Sequence, residues 1–349
     1  MKYIINTGCS YGVMFRSFKE FTKGSDNKFR IIDLHCDSHG AEYQKRSVIY
    51  TISKLKEFID PKDIYVICEW SQPNRLFIEL PQEFCQDILK DKSHIEKTFV
   101  LDNTFNRIEE KFPIELIYKY KSLSVIFDDR IYSNIEHADI DSFENKNIHY
   151  YIDRFKKNTP ISYKPIDRIE QYLTNILDLQ NFLKSIGIDY TFFLMNNTFE
   201  GWDDNFLHIY GDDKLNKFLS RDIIEIPNIK HLRHIKNFSS YTKQIWDLID
   251  LSGFVFYKTN HFNHGGIDEF VMEVHGHQAY MSAANPWDIP PEGYVTSFGA
   301  HPHDSSYVTF FQEYIYNRVK HIVGELTFDY TNRWAPTKHN AIRQQPNLI

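Results

Sequence analysis

Apolar residues in the early part of the chain gather in three short runs, each followed by a turn. Tyr3–Asn6 runs into Thr7-Gly8, Phe29–Leu34 into Asp37-Ser38-His39-Gly40, and Ile64–Trp70 is a continuous apolar stretch that enters a further turn. Runs of this length bounded by turn residues read as buried strands. Between the second and third, Val48, Ile52, Leu55 and Ile59 recur at spacings of four, three and four, one face of a helix. Tyr11–Thr22 is read as the helix that follows the first strand. Three strand–helix steps in succession predict an α/β fold, a parallel sheet with helices on both faces. Such a sheet gathers the C-terminal ends of its strands at one edge, where open α/β sheets place their ligands.

The rhythm then breaks. Residues 76–162 mix charge, aromatics and short apolar runs without a clear period, and are read as an insertion or lid over the site. It returns at Pro165, which suits the first turn of a helix. Ile169, Leu173, Ile176 and Leu183 supply its buried face, Gly187 ends it, and Tyr190–Met195 forms the next strand. Tyr241–Leu251 reads as a helix and Phe254–Tyr257 as a strand. Val308, Phe311, Ile315, Val319 and Ile322 mark a last helix at spacings of three, four, four and three. One α/β domain over 1–335 follows, with a polar tail at 336–349. There is no internal repeat.

Composition narrows the function classes. A formal charge of −7 over 349 residues, with lysines interleaved among acids, disfavours nucleic acid as a partner. No apolar run approaches a membrane span. Tyr3–Asn6 is taken as a strand, which leaves no room for a signal peptide, and a cytoplasmic or virion-associated protein is expected. Cys9, Cys36, Cys68 and Cys85 show no zinc spacing and suit a reducing compartment. The 28 Phe and 22 Tyr point first to an aromatic core, with a surface that stacks on sugar rings as the alternative.

The candidate chemistry begins at Thr7-Gly8-Cys9-Ser10-Tyr11-Gly12, just past the first strand. A serine at a strand end, near a helix N-terminus, can turn its own N–H toward a developing oxyanion; alone, it is equally well a helix cap. Later segments add to it. Ser38-His39-Gly40-Ala41 is followed by Arg46-Ser47-Val48-Ile49-Tyr50; Val66–Arg75 contains Trp70-Ser71; Gly265-Gly266-Ile267-Asp268-Glu269 comes later; and His301-Pro302 precedes an apolar helix. In this order the blocks resemble SGNH/GDSL hydrolases, and most closely a viral-type SGNH-like group. The resemblance implies a flavodoxin-like three-layer α/β/α sheet, Ser10 as nucleophile and His301 as general base. It implies an oxyanion hole from Ser10, Gly40 and either Ser71 or Asn74. The substrate would be a small-molecule or glycan ester, with no cofactor.

The chain departs from that pattern where the family carries an acid two or three residues before its histidine: Gly299 and Phe298 stand there. The third block has Ser71, with Asn74 nearby, where the family supplies an asparagine, and Ala41 replaces a frequent asparagine. A Ser–His dyad oriented by a backbone carbonyl is the reading that accommodates these losses. A non-catalytic SGNH-like binding or structural protein, a viral one among the settings, is the alternative. His275, His277, His301 and His303, with His261 and His264 nearby, form His-x-His pairs, but no carboxylate spacing completes a metal motif, and no metal is expected. Asn196-Asn197-Thr198 is a formal glycosylation sequon, taken as chance.

Overall fold

The structure is a computed structural model that describes residues 1–9, 15, 18–19, 22–35, 40–71, 73, 76–79, 99–108, 122–125, 131–133, 165–197, 240–259, 263–271, 280–281, 301–302 and 304–329. Its centre is a sheet built on β1 (Lys2–Thr7), β3 (Phe29–Asp33), β4 (Ile64–Trp70) and β10 (Asp189–Leu194), all parallel, in the order β10-β4-β1-β3. These are the four strands expected from the apolar runs. Every residue of β4 is buried, as a strand covered on both faces requires.

Alternation along the strands sends side chains to two separate cores. Ile5, Ile32, Val66, Cys68, Phe192 and Leu194 face α1 (Ala41–Leu55), α2 (Pro165–Ser185) and α3 (Ser240–Leu248). Ile4, Ile31, Tyr65, Ile67 and Phe193 face the opposite side. There they meet α5 (Asp304–Phe310), which continues through a π-type turn (Phe311–Ile315) into α6 (Tyr316–Val323). The fold is therefore mixed α/β, a mostly parallel sheet flanked by helices. Val308, Phe311, Ile315, Val319 and Ile322 are all buried, and so are Tyr307, Phe310 and Val323 beside them. The extra residue that a π turn inserts rotates the buried stripe, and so widens it.

Several boundaries differ from expectation. Helix α1 ends at Leu55, so Ile59 sits past it in a turn. Most of Tyr11–Thr22 lies outside the described residues. Phe15, Phe18 and Lys19 lie in 3-10 turns, and Thr22 already belongs to β2 (Thr22–Lys23), which pairs with β13 (Thr327–Phe328). The α-helix expected there is absent at its described positions. Phe15 and Phe18 instead wedge against Phe311, with ring centroids 5.4 and 4.7 Å away. Helix α3 stops at Leu248 because Asp250 caps a separate 3-10 turn, Leu251–Gly253. Phe254–Tyr257 is not a regular strand. Phe254 makes a single parallel bridge to Phe192, and Tyr257 pairs with Gly265.

Part of 76–162 belongs to the main sheet. β6 (Phe99–Leu101) pairs antiparallel with β3, and β7 (Arg107–Ile108) with β6, to complete six strands. β5 (Leu76–Glu79), β8 (Ser122–Val125) and β9 (Ile131–Ser133) form a separate antiparallel sheet. The remaining described strands, β11 (Tyr280–Met281) and β12 (His301–Pro302), pair antiparallel with each other.

Candidate functional site

Polar residues that a core would ordinarily exclude collect at the C-terminal ends of the parallel strands. Asn6, Thr7, Asp33, Glu69 and Ser71 are all fully buried there. Charged residues are almost never buried without partners, so each must be explained by what it holds.

Glu69 interrupts the apolar run of β4. It shares the face of Tyr65 and Ile67, and its carboxylate reaches across to the end of β1. Its Oε2 accepts the Cys9 backbone N–H at 2.6 Å and its Oε1 the Cys9 thiol at 3.4 Å. Cys9 Sγ also lies 3.6 Å from Met195 Sδ, past the end of β10. One carboxylate thus grips both the backbone and the side chain of the residue before Ser10. Ser10 itself lies outside the described residues. Next to Glu69, burial and then the carboxylate charge push the Cys68 thiol well up, which keeps it a neutral, inert thiol.

Asp33 stands at the end of β3, paired in register with Asn6 of β1. Asn6 Nδ2 donates to Asp33 Oδ1 at 2.9 Å, and the Leu34 N–H donates to the Asn6 carbonyl at 2.7 Å. His35 Nδ1 lies 2.8 Å from Asp33 Oδ2, off the line that a hydrogen bond needs. His35 is itself buried. Asn6 and Asp33 tie the ends of adjacent strands together, with the His35 ring packed beside them.

The turn after β3 delivers Gly40, the buried residue that opens α1 in extended geometry with no side-chain cap. One turn on, Gln44 is fully buried. Its Oε1 accepts the N–H of Ser71, just past β4, at 3.4 Å. Three residues further, Ser47 meets Thr7, the last residue of β1, with hydroxyls 3.4 Å apart. The first turns of α1 therefore join the exits of β1, β3 and β4. Gly40 and Ser71 are brought to one place through Gln44; Asn74 is outside the described residues.

At the far side, Gly265-Gly266-Ile267-Asp268-Glu269 docks on the end of β10. Gly266 opens the short helix α4 (Ile267–Phe270). A Cβ on Gly266 would sit 2.4 Å from the Leu194 carbonyl oxygen, so only glycine fits this approach. Fully buried Glu269 accepts the Gly266 N–H at 2.6 Å and the Asn197 N–H at 2.8 Å. It thereby fixes the loop that leaves β10. Asn196 and Asn197 are both buried, which denies a glycan access to the sequon.

The backbone of His301 pairs with Met281 in the β11–β12 ribbon, three residues before α5 begins at Asp304. Helix α5 packs on the sheet face that Glu69 and Asp33 share. The position of the His301 side chain lies outside the described residues, as do His261, His275, His277 and His303. His264 is packed edge-on against Trp246 and Phe256, with ring centroids 5.6 and 4.9 Å away. Among the described residues no group of three or more His, Cys, Asp or Glu converges as a metal site.

Sequence reasoning missed Asp33, His35, Gln44, Glu69 and the role of Glu269. A signal existed for two of them. A carboxylate inside Ile64–Trp70 is out of place in a buried strand unless it binds something, and Gly266-x-x-Glu269 is the spacing of a capping box. Comparison with family models, with curated proteins and with solved structures finds no match.

Proposed function

We propose that this chain is a serine hydrolase of the SGNH type, with a flavodoxin-like sheet, acting on an acyl ester. Ser10 Oγ bonds to the carbonyl carbon while His301 takes its proton. The ester C–O bond then breaks, and His301 returns the proton to the leaving oxygen. Water enters by the reverse of these steps and releases the acid. The N–H groups of Ser10 and Gly40 stabilise the tetrahedral oxyanion, with Ser71 or Asn74 contributing.

The observation that carries the reading is the junction of Gly40, Gln44 and Ser71 with the end of β1. It gathers the strand exits of the first three blocks at one edge of a parallel sheet, the edge where such sheets bind ligands. The glycan part of the reading is weakened. Among the described residues many aromatics, including Trp70, Tyr43, Tyr172, Tyr307, Phe15 and Phe18, are buried core, while Phe58 and Tyr241 are exposed singly, so aromatic abundance by itself gives no support for a sugar-stacking surface. Phe298 and Gly299, in place of the orienting acid, favour a second reading, a non-catalytic binding protein on the same fold.

Hydrolysis of short-chain aryl esters separates the two. Ser10→Ala and His301→Ala each abolish turnover under the hydrolase reading. Asp304→Asn keeps most of it, because a backbone carbonyl orients the imidazole without a buried charge. Equal inertness of wild type and Ser10→Ala across several esters makes the binding protein the better account.

A further inference from the structure

We infer that Gln44 supplies the side-chain donor of the oxyanion hole, taking the place that an asparagine fills elsewhere in this type of site. The inference rests on the hydrolase reading above and gives Gln44 a chemical role which that reading does not assign.

The argument starts from the Gln44 amide. Gln44 is fully buried on the first turns of α1. Helical side chains lean toward the helix N-terminus, so its amide covers the turn that holds Gly40. The Ser71 backbone N–H, 3.4 Å away, can only donate, so the amide must turn its oxygen toward it. Nε2 is thereby left as a donor. It is buried, and among the described residues it has no acceptor. A stranded amide donor in a dry interior is destabilising. Folding tolerates such a cost most readily where a ligand repays it.

The place is the right one. Gly40 opens the helix one turn before Gln44, and Thr7, at the end of the strand that leads to Ser10, touches the same helix through Ser47. Ser71 offers a hydroxymethyl, which is shorter than a carboxamide and reaches less far. Gln44 offers that carboxamide from the neighbouring helix, with its oxygen anchored and its nitrogen available.

The test uses the full-length protein with a short-chain aryl ester, comparing wild type with Ser10→Ala, Gln44→Glu and Gln44→Met. Gln44→Glu is read at alkaline pH, where the new carboxyl is ionised. It still accepts the Ser71 N–H but no longer donates. The expected result is a fall in kcat of about 10²–10³-fold, with KM nearly unchanged and the melting transition close to wild type. Wild-type kcat in Gln44→Glu overturns the inference, for the amide then only holds Ser71. Should Gln44→Glu not fold, Gln44→Met carries the test, since it has similar volume and no donor: full kcat overturns the inference, and lost kcat at constant KM supports it. Turnover that survives in Ser10→Ala, or is absent in wild type, overturns the hydrolase reading and the inference with it.

Discussion

Glu269 illustrates what a single buried carboxylate does at this sheet edge. Its two oxygens accept the Gly266 and Asn197 N–H groups, so one side chain closes α4 onto the exit of β10. Removing it strands two buried donors at about 1–3 kcal/mol each. Glu269→Ala is therefore expected to lose about 2–6 kcal/mol in a urea titration, and a loss below about 0.5 kcal/mol contradicts the role given to it. Asp250 acts at the surface by a different route. The Lys184 ammonium, then the Ser252 hydroxyl and N–H, hold its carboxyl down at about 2. A depressed carboxyl stabilises the fold above its unfolded value of about 4. That contribution is lost as pH falls from there toward about 2. The side chain is 38% exposed, so solvent screening keeps the effect under about 1 kcal/mol. Asp250→Asn should flatten stability against pH in that window only, which acid titration of both proteins by circular dichroism measures. A change confined to neutral pH contradicts it.

At the level of elements, the C-terminal helix holds one face of the sheet. Phe311 is fully buried at its π turn and meets Phe15 and Phe18 from the chain after β1. Truncating a buried phenylalanine costs about 3–5 kcal/mol. Phe311→Ala is expected to lose that much in thermal or urea unfolding, and a cost under about 1 kcal/mol argues that the helix does not anchor this layer. The elements that could be read from the sequence were those long enough to show a period. β1, β3, β4 and β10 are apolar runs between turns, and α1 and α2 repeat at helical spacing. β6 and β7 were not legible, because strands of three and two residues are too short to alternate. The segment after Ser10 misled because Phe15 and Phe18 are spaced as in a helix but are held in 3-10 turns by aromatic packing. Propensity yields there to tertiary contact.

Across the whole molecule, the parallel pairing of β10, β4, β1 and β3 agrees with the strand–helix alternation, and Gly40 and Ser71 stand at strand exits. The buried polar residues that join these exits were beyond reach. Asp33, Gln44 and Glu69 bind backbone or side-chain groups of other elements, and such pairings exist only once the sheet is assembled. Among the described residues no helix is long and apolar enough to cross a membrane. Under the proposed hydrolase reading, this edge activates Ser10. Reaction with a fluorophosphonate, followed by peptide mass spectrometry, tests it most directly, because only an activated serine is labelled. The expected result is a single adduct on the peptide that contains Ser10, lost in Ser10→Ala and strongly slowed in His301→Ala. An unlabelled wild-type protein, or an adduct on another residue that persists in Ser10→Ala, would contradict it.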